Sequence, residues 1–293
     1  MTRDLTKDND QIILNHYKKV AKNHSLDGSS TIQDPRIREA ELSFILGAIR
    51  NFIDGSNKAI NQIRLLDAGC GNGYLLSCIA KEFPRIKLYG IEFTPELFEL
   101  AKSRNLKNCK VILGDIRKSI NAFSEEKIES FDVVITERVI INILDYKEQR
   151  QAITLINEGL HKDGVYIQVE SYFEPLVNLN RARKEMALPS IEPSEHNKFL
   201  NKYMIGFMRD RVGLKESKSP VATNYLSTYF FLSRVFHQVT RPPGGKVKYS
   251  HMVDFLVEGI GPGVGDYSPI LFKVFKKSIP TFPNKSLFAS ATN

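Results

Sequence analysis

The sequence predicts an α/β fold, a doubly wound and mostly parallel sheet with helices on both faces. Three observations carry this. Between Arg64 and Glu170, short apolar runs alternate with helical patterns, as in a parallel sheet with covering helices. The first run, Leu65-Leu66-Asp67-Ala68, passes straight into a glycine-rich turn and a helix pattern starting near Tyr74. The later runs end in acids, at the edge where open α/β sheets bind ligands.

Residues 1–60 read as a helical arm ahead of the sheet. Asp8 to Asn23 sets Ile12, Ile13, Tyr17 and Val20 at helical spacing, and a polar break follows at His24 to Ser30. Asp34-Pro35 opens a second helix, with Leu42, Ile45, Leu46, Ile49 and Phe52 as its apolar face. The second strand, Leu88 to Ile91, ends at Glu92. That acid lies about 20 residues past the glycines, the separation expected of a ribose-binding carboxylate. Thr94 suits the N-cap of the helix opening at Pro95, which leaves Glu92 for a sugar. The third strand, Lys110 to Leu113, ends in Gly114-Asp115, where the acid could instead close an Asx-turn. The fourth, Phe131 to Ile135, ends in Thr136-Glu137, and the fifth is Val165 to Glu170, after a turn at His161 to Gly164.

From 171 to about 223 the sheet pattern lapses, which marks an insertion after the fifth strand. Tyr229 to Phe236 and Ile270 to Lys276 read as two late strands. Residues 61–280 thus form one domain that includes the insertion, and 281–293 a tail.

Composition is that of an ordinary globular chain, 42% hydrophobic and 25% charged. No apolar run approaches the roughly 20 residues that span a membrane. The polar N-terminus lacks a secretory apolar core, so a cytoplasmic protein is expected. Three scattered cysteines argue against a disulfide framework and exclude a Cys-x-x-Cys metal pair, and no metal is expected. The formal charge of +8 fits nucleic acid, an acidic membrane surface, a phosphorylated substrate or simply solvated lysines, but the basic residues are scattered, with modest clusters at Lys273 to Lys277 and Arg209 to Lys218, so nucleic acid is not the expected partner.

The glycine spacing narrows the ligand. A dinucleotide fingerprint would put its third glycine where Tyr74 stands; here the glycines are Gly69, Gly71 and Gly73, preceded by Asp67. A pyrophosphate has no use for a carboxylate there, whereas a cationic ligand does. With Glu92, Gly114-Asp115 and Phe131-Asp132-Val133-Val134 in order behind it, the segment resembles motif I of the class I, Rossmann-like methyltransferases that use S-adenosylmethionine (SAM). The flanks look similar to bacterial small-molecule and glycan methyltransferases, and the resemblance implies that residues 1–60 form a helical lid, that 171–223 form a substrate cap inserted between the fifth and sixth strands, and that the two late strands pair as an antiparallel C-terminal hairpin. The resemblance implies SAM as cofactor and S-adenosylhomocysteine (SAH) as product. It implies that Asp67 and the three glycines bind the cofactor, with Glu92 on the ribose. The carboxylate of Asp115, or the backbone beside it, would meet the adenine amino edge, with Phe93 and Ile116 on the ring faces. Glu137 would lie near the reacting methyl, and Tyr17 and Arg38 would close over the cofactor from the lid.

Methyl transfer needs alignment, and a hydroxyl acceptor also needs a base. His196, between Glu195 and Asn197 in the expected cap, is the leading candidate, although a surface or capping histidine reads the same way. Glu137 and Glu170 are the acids at neighbouring strand ends. The Asn/Asp-Pro-Pro-Tyr/Phe motif of enzymes that methylate exocyclic base nitrogens is absent after the fourth strand, and all three cysteines precede that strand. A small-molecule or sugar oxygen is therefore the expected acceptor. An RNA or protein methyltransferase and a non-catalytic SAM-binding subunit are the alternatives.

Overall fold

The computed structural model describes residues 5–28, 32–120, 123, 128–217, 224–241 and 250–282. Helices α1 (Leu5–His24) and α2 (Pro35–Asp54) lead into β1 (Arg64–Ala68), α3 (Tyr74–Glu82), β2 (Lys87–Glu92), α4 (Pro95–Ser103) and β3 (Cys109–Leu113). Then come β4 (Phe131–Glu137), α5 (Tyr146–Gly159), β5 (Leu160–Ser171), α6 (Phe173–Glu185), α7 (Lys202–Phe207) and β6 (Leu214–Glu216). The described chain closes with α8 (Ser227–Phe231), α9 (His237–Thr240), α10 (His251–Ile260) and β7 (Ile270–Lys277).

The strands form one seven-stranded sheet in the order β3-β2-β1-β4-β5-β7-β6. β1 to β5 are parallel, and β7 runs antiparallel to both β5 and β6. The order reverses between β1 and β4, and a crevice opens at the carboxyl ends of strands at such a switch point. Alternation along the strands divides the core. Leu65, Val133, Ile135 and Ile167 join Ile45 and Ile49 of α2 on one face. Leu66, Val134 and Tyr166 join Ile153 and Ile156 of α5 on the other.

Three expectations change. Tyr229 to Phe236 is helix: α8 runs through a wide, π-type turn at Leu232–Phe236 into α9. Its run of buried residues, including Leu226, Tyr229, Phe230, Leu232 and Val235, imitates a core strand because a helix buried on most sides loses its period. The sixth strand is instead the short Leu214–Glu216, inside the segment expected as cap, so the insertion between β5 and β6 covers residues 172–213. A second, helical insertion separates β6 from β7. The expected lid also divides, since α2 is a layer of the core with Ile45 and Ile49 fully buried, whereas α1 lines the crevice. Residues 283–293 of the expected tail, and 218–223 of the expected cap, lie outside the described residues.

Candidate cofactor and active site

The turn after β1 is shaped for close approach. Gly69 has φ +94°, a conformation L side chains rarely adopt, and a Cβ there would stand 2.5 Å from Val139 Cγ2. Its amide and that of Cys70 both donate to the Ile91 carbonyl, at 2.7 and 3.0 Å, which fixes the turn against β2. The turn's next amide, Gly71 N, donates to Glu92 Oε2 at 2.8 Å, while Thr94 N donates to Oε1 at 2.8 Å. Burial raises the Glu92 pKa above the usual carboxylate range, and these amides oppose the rise.

Asp67 is 2% exposed, and its Oδ2 has no hydrogen-bond partner among the described residues. Burial lifts its pKa well above the usual value, and the charges of Glu137 and Glu92 push the same way. A buried carboxylate facing two others is a place for positive charge. This is the test a SAM site must pass, because the methionine end carries an ammonium beside the sulfonium, and Asp67 meets it.

Glu137 accepts from Arg38 Nη1 at 3.2 Å and lies 3.2 Å from Arg138 Nη2. Burial pushes its pKa up, but Arg138 and Arg38 outweigh that and hold it below the usual range. Arg138 also pairs with Glu41 of α2, whose pKa burial pushes up to about 7 against the pull of Arg138. Arg138 itself has φ +57°, held by its amide on the Val169 carbonyl and by its own carbonyl accepting from Asn142 Nδ2.

One stripe of α1 roofs the cleft. Asp10, Ile13 and Tyr17, spaced by three and four residues, all line it. The Tyr17 hydroxyl accepts from Asn142 Nδ2 at 2.6 Å, and burial pushes its pKa up to about 12, so it stays a neutral phenol. At the other end, Arg117 Nη1 and Nη2 donate to Asp10 at 2.7 and 2.9 Å. The same guanidinium binds Asp115 through Nε and Nη2, reaches Glu148 at 2.9 Å, and stands 5.3 Å from the Phe93 ring centroid.

The cleft therefore gathers Tyr17, Gly69, Gly71, Glu92, Phe93, Asp115, Ile116 and Glu137 of the sequence-derived set. Asp67 and Arg38 stand behind this lining, and Gly73, at φ +73°, is the N-cap of α3. Asp115 differs from expectation in its company, since both its oxygens already bind Arg117. Two of the proposed catalytic groups do not line the cleft. Glu170 is fully buried and accepts from the amides of Val139, Ile140 and Ile141 at 3.0, 2.9 and 3.3 Å, so its carboxylate shapes the turn after β4. Burial pushes its pKa up to about 7. His196 stacks on His16 of α1, ring centroids 3.6 Å apart, at the seam between α1 and the 172–213 insertion. Burial lowers its pKa, with His16 adding to the effect.

Sequence reading missed Asp10, Glu41, Arg117, Arg138 and Asn142. Arg117 and Arg138 each follow closely on an acid that was found, a nearness that could have flagged them. Asp10 and Glu41 gain their roles only from how α1 and α2 cross the sheet.

Residues 61–203 match a family described as a methyltransferase domain. A malonyl-[acyl-carrier protein] O-methyltransferase of Bacillus anthracis is 27% identical over 155 residues, 51% of this chain and 54% of that one. The chain spans about half the length of the curated relatives it matches. Among solved structures, a SAM-bound amino pentose methyltransferase of Micromonospora echinaspora is 28% identical, covering 44% of this chain and 49% of that one at a TM-score of 0.36. A TehB-like SAM-dependent methyltransferase of Corynebacterium glutamicum is 15% identical, covering 82% of this chain and all of that one at a TM-score of 0.44.

Proposed function

We propose that this member of the Rossmann-like, SAM-dependent methyltransferases moves the methyl group of SAM to an oxygen of a small-molecule or sugar acceptor. The observation that carries the reading is the convergence of Asp67, Glu92 and Glu137 on one glycine turn, with an unpartnered buried oxygen on Asp67. When bound, SAM supplies an activated methyl on a sulfonium. Asp67 and Glu137 surround that positive end with negative charge. Glu92 turns its carboxylate to the ribose hydroxyls, and Phe93 and Ile116 flank the adenine. Ile13 and Tyr17 exclude water from above. The acceptor enters at the seam of α1 and the 172–213 insertion, and His196, kept neutral by burial, takes the hydroxyl proton there.

A second reading has its own support. Glu137 is paired with two arginines and Glu170 is occupied by three amides, so neither is free as a base. An acceptor that arrives already ionised, such as a carboxylate, needs no base, and the relatives named malonyl-[acyl-carrier protein] O-methyltransferase favour it. Released SAH, measured over a panel of hydroxyl and carboxylate acceptors with the parent and His196→Ala, decides between the two. A loss of about 100-fold or more on hydroxyl acceptors in the variant supports the base. Turnover confined to carboxylates and unchanged in the variant supports the second reading. SAM binding without turnover on any acceptor would leave a non-catalytic SAM-binding subunit.

A further inference from the structure

Arg117 sits where α1 meets the sheet domain. Asp115 and Glu148 belong to the sheet domain and hold the guanidinium from behind, through Nε and Nη2 on Asp115 and Nη1 on Glu148. Asp10 belongs to α1 and takes the remaining fork, Oδ1 on Nη1 and Oδ2 on Nη2. The Arg117 side chain is only 12% exposed, so these pairs are poorly screened. With two body carboxylates on it, the guanidinium keeps its place whether or not α1 is down. The Asp10 fork is then what the strap itself contributes. The guanidinium also lies over Phe93, the ring read as one wall of the adenine pocket.

We propose that Arg117 is a cofactor-positioning residue that latches α1 over the adenine end of the cleft, so that cofactor occupancy and closure of the strap reinforce one another. The inference rests on the placement of adenine against Phe93. A purine there extends the apolar floor beneath Ile13 and shields the Asp10–Arg117 fork from water, which strengthens that ion pair. By reciprocity, the fork slows the departure of SAM or SAH. The i, i+3, i+7 stripe of Asp10, Ile13 and Tyr17 places the fork on the face of α1 that descends on the cleft, where it adds to the Tyr17–Asn142 hydrogen bond further along the same face.

The test is the dissociation of labelled SAH chased with unlabelled SAH. In Asp10→Asn the body contacts of Arg117 survive, and the off-rate rises about 10-fold, the scale of one partly buried ion pair. Amide exchange along α1 in the SAH complex quickens in step. Arg117→Lys behaves the same way, because a point charge cannot serve the forks on both Asp10 and Asp115, while Asp10→Glu retains slow release. An off-rate in Asp10→Asn within two-fold of the parent overturns the latch. Phe93→Ala separates the two layers of the inference. Unchanged SAH affinity in that variant removes the adenine placement, whereas reduced affinity there with an unchanged off-rate in Asp10→Asn removes the latch alone.

Discussion

The backbone amide of Gly71 donates to Oε2 of Glu92 at 2.8 Å, joining the turn after β1 to the acid that ends β2. One carboxylate thereby braces the glycine turn at the strand end where we place the ribose of the cofactor. Glu92→Ala should lower SAM affinity by about 10- to 100-fold, the worth of charge-assisted bonds to two hydroxyls. Titration calorimetry reads this directly, and parental affinity in the variant would remove Glu92 from the site.

Asp67 should show opposite effects on stability and on binding. Its unpartnered oxygen lies buried near two other acids. Asp67→Asn removes a charge that the free protein cannot compensate, so the variant should resist urea better by about 1 kcal/mol. The same change should weaken SAM about 10-fold, since a cation loses its counter-charge. A variant both less stable and equally tight would show that the carboxylate has some other partner.

Arg138 joins Glu41 of α2 to Glu137 of β4 in a setting where Glu41 is fully buried. Arg138→Met leaves two acids facing each other with less positive charge between them. The expected loss is about 3–5 kcal/mol of unfolding free energy, as when one partner of a buried ion pair is deleted. Chemical denaturation checks this. Adding Glu41→Gln should recover part of the loss, because one of the two stranded acids is then gone.

The stacked pair His16 and His196 should make the lid–insertion seam sensitive to acid. Burial lowers both pKa values; Lys19 adds to the effect at His16 and His16 adds to it at His196, while Glu195 opposes it at both. Each imidazole therefore binds its proton more readily in the unfolded chain. The stability it contributes is present above the ordinary imidazole value of 6.5 and is lost as pH falls below it, towards the lowered folded value. Melting temperatures between about pH 5 and 8 should fall more steeply on the acid side for the parent than for His16→Gln/His196→Gln. Equal slopes would place the acid sensitivity elsewhere.

Much of this was legible in the sequence. The switch-point sheet, the glycine turn and the acids Asp67, Glu92 and Glu137 follow from local patterns, because strand period, turn conformation and strand-end position are properties of short segments. The late helix through Tyr229 was not legible, because its buried run lacks the period that separates helix from strand. Nor was the fate of Glu170, a strand-end acid by pattern whose oxygens the three amides of the next turn occupy.

The sequence by itself determined which residues reach the carboxyl edge of the sheet. Only the tertiary structure decided which of them meet. Asp10 and Arg117 are separated by 107 positions, and Arg38 and Glu137 by 99. Their pairing depends on how α1 and α2 cross the sheet, and that crossing is set by burial of whole helix faces, Ile45 and Ile49 above all. The hydrophobic effect that drives this burial is non-directional, so the local sequence specifies that a face is buried but not which distant charge it brings alongside.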